Sequence, residues 1–166
     1  EKTISRINYL FERNSFNDQK HNINGKIVPK IDKMFSKIDW NFLKSGVPVN
    51  FHGDLHFENI IKDGKNFKLL DWREDFAGNI NYGDLYYDLA KINHGFIIDH
   101  KLISSNNFEI NQYTNSKIII KYKVSSTNKK CKKIFHDFLR NKNISIPKVE
   151  LLTALIYLNI APLHHY

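Results

Sequence analysis

The chain has 166 residues, 42% of them hydrophobic and 13% aromatic, and a single cysteine, Cys131; this excludes a disordered composition, an internal disulfide and a cysteine-rich zinc site. The net charge of +8 invites a nucleic-acid reading, but the acidic residues concentrate in 54–88 and the one dense basic run, KYKVSSTNKKCKKIF, suits a solvated helix face, so no specific nucleic-acid partner is expected. No apolar run reaches the ~20 residues that span a bilayer, and EKTISRINYLFERN is polar and helical in pattern rather than a secretory signal, so the expectation is a cytoplasmic protein with no membrane partner.

In chain order, Ile4, Ile7, Leu10 and Phe11 recur at helical spacing over 1–14. The polar stretch from Asn14 to Pro29, with Gly25, reads as a loop. Apolar positions at Ile31, Met34, Phe35, Ile38, Phe42 and Leu43 predict one helix over 30–45, stopped at Gly46. Val49 to Phe51 reads as a short strand. A polar cluster follows at 52–59, then a strand at Ile60 and Ile61. The Asp-Gly of KDGKN predicts a turn, and FKLLDW returns as a strand ending at Asp71 and Trp72.

Residues 84–95 read as a buried helix through Leu85, Tyr86, Leu89 and Ile92. FEINQY and KIIIKYKV flank TNS and predict a second hairpin. TNKKCKKIFHDFLRNKN is an amphipathic helix with Ile134, Phe135, Phe138 and Leu139 inward. The last helix has Pro147 in its first turn and a nearly all-apolar interior from Leu151 to Ile160.

The polar cluster carries the chemistry. His52, Gly53, Asp54 and Asn59 spell His-Gly-Asp-x-x-x-x-Asn on a loop held by strands, where reactive groups are usually placed. Leu70-Asp71-Trp72 follows, and GDLYYDLAK supplies Asp84 and Asp88-Leu89-Ala90. This ordered set resembles the aminoglycoside phosphotransferase and choline kinase family, closely over 49–95 and in helix pattern outside it.

The resemblance implies an α+β, mainly α fold: a protein-kinase-like C-terminal lobe with short β-hairpins, forming a single domain over 1–166. It implies transfer of the γ-phosphoryl of ATP or GTP to a hydroxyl of an aminoglycoside, choline, sugar or similar small molecule, with Mg2+. By the same resemblance Asp54 is the catalytic residue, orienting the acceptor hydroxyl and taking its proton. Asn59 and Asp71 are the metal ligands, and Asp88 accepts hydrogen bonds from catalytic-loop amides. His52, Gly53 and His56 support the loop, with Gly53 allowing its tight turn. Asp75 and Asp84 are candidates for substrate binding, Asp84 competing with a helix-cap role.

Duller readings stand beside these. Asp54 and Asp71 also suit turn and strand-end carboxylates, and His164 and His165 suit surface or core histidines better than metal ligands. The family's lysine-bearing, phosphate-covering N-terminal lobe has no counterpart in the roughly fifty residues before His52. The expectation is therefore a C-terminal lobe trimmed from a larger kinase, weak or inactive alone. The alternatives are a non-catalytic kinase-like binding protein lacking the nucleotide lobe, and a basic nucleic-acid-binding module.

Overall fold

The computed structural model describes residues 2–14, 17–98, 100–114 and 116–163. The fold is α+β, with about 48% helix and 21% strand in small sheets. The elements run α1 (Lys2–Arg13), β1 (His21–Ile23), β2 (Lys26–Val28), α2 (Ile31–Phe35), α3 (Trp40–Lys44) and β3 (Pro48–Val49). After a 3-10 turn at Phe57–Asn59 come β4 (Ile60–Asp63), β5 (Asn66–Leu69), β6 (Gly83–Asp84), α4 (Leu85–Ile97) and α5 (His100–Ser104). Then follow β7 (Phe108–Thr114), β8 (Lys117–Tyr122), α6 (Ser126–Asn141) and α7 (Ile146–Ile160). The chain divides into two compact units, one of residues 1–40, 98–125 and 158–166, the other of 41–97 and 126–157.

The first unit holds a four-stranded sheet in the order β2-β1-β8-β7. The polar stretch 14–29 is thus not only loop. Asn24 (φ 51°) and Gly25 (φ 81°) form the tight turn of a β1–β2 hairpin, with His21 opposite Val28. Asn-Gly between short alternating segments is the strongest local hairpin signal, because both residues tolerate positive φ. The Asn24 side chain then continues the pairing of β1 with β8. Its Nδ2 donates to the Ile120 carbonyl at 2.8 Å, and its Oδ1 accepts from the Ile120 N–H at 2.8 Å. Ile7 on α1 and Leu102 on α5 are buried.

The single helix expected over 30–45 is broken. α2 ends at Phe35, where the Ser36 N–H bonds to the Asp32 carbonyl and the Ser36 hydroxyl to the Lys33 carbonyl. The next amides, of Lys37 and Ile38, bond three residues back, which tightens the turn out of the α-helical path. The rings of Phe35 and Trp40 stack across the break, 5.8 Å apart.

The second unit packs α4 against α6 and α7. Its core is Leu89, Leu139 and Val149, covered by Leu85, Tyr86, Phe135, Ile144 and Ile146. Rings continue it, with Phe96 4.9 Å from Phe57 and 5.6 Å from Phe135. Buried Asn93 donates to Thr153 at 3.0 Å, and the Thr153 hydroxyl reaches the Ala90 and Val149 carbonyls, which joins α4 to α7 without an unpaired hydroxyl. Lys148, only 2% exposed, donates to the Ser45 carbonyl and hydroxyl and lies over the Tyr86 and Phe42 rings. It thereby closes the chain end of α3.

Ile146–Leu163 is long and apolar enough to cross a membrane by length and composition, with a mean hydropathy of 1.3 over 18 residues. That segment carries Lys148, engaged as above, and Glu150, which pairs with Lys132 at 3.4 Å.

Two short pairings in this unit position the polar cluster. β3 pairs with β6, Pro48 opposite Asp84, and the β4–β5 hairpin pairs Ile60 with Leu69 around a two-residue turn at Gly64 (φ 60°) and Lys65. The expected first strand is shorter than read, ending at Val49. The second strand of the hairpin ends at Leu69 rather than at Asp71 and Trp72, because Asp71 takes φ 56° and leaves the extended path.

Candidate functional site

The loop between β3 and β4 is anchored by α4. Asp88 lies in the first turn of that helix and is 7% exposed. Its Oδ2 accepts the His52 N–H at 2.7 Å and its Oδ1 the Gly53 N–H at 2.9 Å. Amide donors stabilise a buried carboxylate that would otherwise carry a large desolvation cost. The same pair satisfies two loop amides that no strand reaches.

The segment after β5 lies along this loop. The Leu70 N–H donates to the Asn59 carbonyl and the Arg73 N–H to the His52 carbonyl, each at 2.9 Å. The Trp72 ring sits 4.9 Å from the His52 ring. Gly53, at φ 80°, is required twice. An L side chain is strained at that φ, and a Cβ there would stand 2.7 Å from Cβ and Cγ of Arg73. The two sequence motifs, 52–59 and 70–72, are therefore one structural site joined by Asp88 and the 70–73 backbone.

At its centre is Asp54, with a side chain 11% exposed. Lys91 Nζ lies 2.6 Å from Oδ1, and an Arg73 guanidinium nitrogen 2.7 Å from Oδ2. Burial alone raises the Asp54 pKa, but Lys91 first and Arg73 second outweigh it and hold the carboxyl below its ordinary value. In return the Asp54 carboxylate, by hydrogen bond and by charge, raises Arg73 against the opposing effect of burial. His56 Nε2 stands 4.0 Å from Oδ2, and its Nδ1 pairs with Glu58 at 3.2 Å. The Asp54 N–H donates to His52 Nδ1 at 3.3 Å, so His52 serves the loop backbone.

Asn59 donates from Nδ2 to the Asp54 carbonyl at 3.0 Å, which fixes its amide with the oxygen turned the other way. Asp71 follows β5, exposed, in the left-handed conformation. Aspartate adopts this conformation more readily than most non-glycine residues, because its short polar side chain can hydrogen-bond locally. Asp71 is also near enough to Arg73 to raise its pKa.

Comparison with known proteins adds no assignment. No family model, no curated protein and no solved structure matches the chain.

The remaining expected residues fall outside this centre. Asp84 caps α4, its Oδ1 accepting the N–H groups of Tyr86 and Val47, each at 3.1 Å. Asp75 closes the 75–79 turn, accepting the Gly78 N–H at 2.6 Å. His164 and His165 lie outside the described residues. Among the described residues, no group of three or more His, Cys, Asp or Glu side chains is arranged to hold a metal ion.

Sequence reasoning missed Lys91 and Arg73. Lys91 follows Asp88 by three positions, so the two share a helix face. Because the resemblance turns Asp88 toward the loop, that spacing is the available signal for Lys91. Arg73 is the residue after Leu-Asp-Trp, but nothing local shows that its side chain crosses the loop to Asp54.

Proposed function

We propose that the chain is the catalytic C-terminal lobe of a protein-kinase-like small-molecule phosphotransferase, of the aminoglycoside phosphotransferase and choline kinase kind. It moves a γ-phosphoryl group from ATP or GTP to a hydroxyl. The observation that carries this reading is the convergence of residues far apart in sequence: Asp88 on the amides of His52 and Gly53, and Asn59 on the carbonyl of Asp54.

Asp54 is the residue that receives the acceptor. Its carboxyl is held below the ordinary range, so it is ionised at neutral pH and accepts a hydroxyl hydrogen bond. A weak base of this kind suits a loose phosphoryl-transfer transition state, in which the proton leaves late. Asp88 and Gly53 act through the backbone, setting where Asp54 points.

The donor set fits magnesium. One exposed carboxylate, Asp71, and one oriented amide, Asn59, are oxygen donors beside the loop. Magnesium is commonly held by one or two carboxylates with substrate phosphates and water, and Asp71 and Asn59 would be the protein's share of such a set. When bound, the ion neutralises phosphate charge.

The test is phosphoryl transfer by a protein carrying this chain. Asp54→Asn lowers turnover by about 10²-fold or more and spares nucleotide binding. Asp71→Ala weakens magnesium-dependent nucleotide binding itself. Unchanged turnover in both variants overturns the reading.

A further inference from the structure

Asp54 has two cationic partners in unequal surroundings. Lys91 projects from α4 with its side chain 15% exposed, whereas Arg73 is 56% exposed. Releasing Lys91 from Asp54 leaves an ammonium group largely out of water and away from this carboxylate, which is strongly unfavourable. Releasing Arg73 delivers a guanidinium to solvent at little cost. The stem of Arg73 is nonetheless confined. Its Cβ and Cγ lie where a side chain on Gly53 would sit, and its N–H is bonded to the His52 carbonyl. Only the guanidinium end is free to swing, and it stays within reach of Asp54.

We propose that Arg73 is the exchangeable partner of Asp54, drawn off it by an oxyanion on the ligand, while Lys91 remains and positions the carboxylate. The choice of ligand deepens the phosphotransferase reading and rests on it; the exchange itself is a property of the free chain. A guanidinium is planar and presents paired N–H donors that match phosphate or carboxylate oxygens two at a time. Its departure leaves Asp54 with one cation instead of two, making the carboxylate a better acceptor for a hydroxyl proton when the ligand arrives. Arg73 thus selects a phosphate-type group close to the reacting hydroxyl. A cationic group does not draw Arg73 off Asp54, because it offers no oxyanion to the guanidinium.

Two sources supply such an oxyanion: the terminal phosphates of the donor, and an anionic group on the acceptor. The experiment is an NMR titration of the 15N-labelled chain, following the Arg73 side-chain N–H and the amides of His52 to Asp54. Inorganic phosphate is added first, without magnesium or nucleotide. Asp54→Asn removes the carboxylate that competes for Arg73, so phosphate binds about three- to tenfold more tightly than to the wild type. Adding Arg73→Gln to that variant abolishes the gain, whereas Arg73→Lys restores part of it. Parallel titrations with pyrophosphate and with glycerol 3-phosphate identify donor-side or acceptor-side recognition by which binds more tightly. Choline, as the cationic contrast, leaves the Arg73 signal in place.

Equal phosphate affinity in wild type and Asp54→Asn overturns the exchange. Arg73→Gln alone, at a half-exposed position, is the check that does not depend on Asp54→Asn folding: unchanged phosphate affinity in it also overturns the proposal. Because magnesium and nucleotide are absent, a negative result here leaves the phosphotransferase reading to its own assay. Phosphate binding through Arg73, with no phosphoryl transfer in the separate assay of a protein carrying this chain, supports the exchange and sinks that reading.

Discussion

Asp88 grips the loop at 52–53 with both carboxylate oxygens, 2.7 Å from the His52 nitrogen and 2.9 Å from the Gly53 nitrogen. Removing it leaves two buried amides unpaired. Asp88→Ala therefore lowers unfolding stability by about 2–5 kcal/mol. Asp88→Asn costs less, because the amide retains one acceptor. Denaturant midpoints of the two variants check the order, and equal values for both and the wild type contradict it.

Gly53 admits no side chain. Gly53→Ala places a Cβ 2.7 Å from two carbons of Arg73 at a φ of 80°. The variant loses about 1–3 kcal/mol of stability, and the displaced Arg73 no longer meets Asp54. The Arg73 side-chain NMR signal moves toward its free position if this is correct.

Lys148 tests the closure of α3. Lys148→Ala removes a buried stem from the Tyr86 ring and the donor to Ser45, and costs about 2–4 kcal/mol. Lys148→Met keeps the stem and loses only the donor, so it is the milder change. Thermal or denaturant unfolding of both variants gives the comparison.

Two groups contribute separably to the loss of stability in acid. His136 titrates below its ordinary value of 6.5, first because burial penalises its charge and second because Lys132 repels it, with Glu150 opposing. The unfolded chain therefore takes up this proton first, and stability falls as pH drops from 6.5 toward the folded value. Asp54 also titrates low when folded, so its contribution is present above 3.8 and is lost as pH falls through the folded value. His136→Gln removes the first part, and Asp54→Asn the second. Stability measured from pH 7 to pH 3 distinguishes them.

The sequence exposes those features whose cause is local. The helices over 85–97 and 126–141 follow from apolar spacing, and the 60–69 hairpin from its Gly64 turn, but on the second helix only Leu139 and Phe135 face the core, while Ile134 and Phe138, expected inward, are exposed. The grip of Asp88 on the loop was expected from a resemblance. The break after Phe35 was hidden, because Ile38, Phe42 and Leu43 keep a helical spacing across it. The β1–β2 hairpin was hidden by its brevity, although Asn24-Gly25 marks its turn. Lys91 and Arg73 were hidden for another reason. Both reach Asp54 from separate elements, and pairing across 37 or 19 positions leaves no periodic trace.

Nucleotide binding is the sharpest test of whether this loop serves phosphoryl transfer. ATP is titrated into the chain with and without magnesium, and into Asp71→Ala and Asn59→Ala, at physiological salt. If the loop serves phosphoryl transfer, binding is weak, requires magnesium, is lost in Asp71→Ala and is reduced in Asn59→Ala. Binding that ignores magnesium, or that survives both substitutions unchanged, contradicts it.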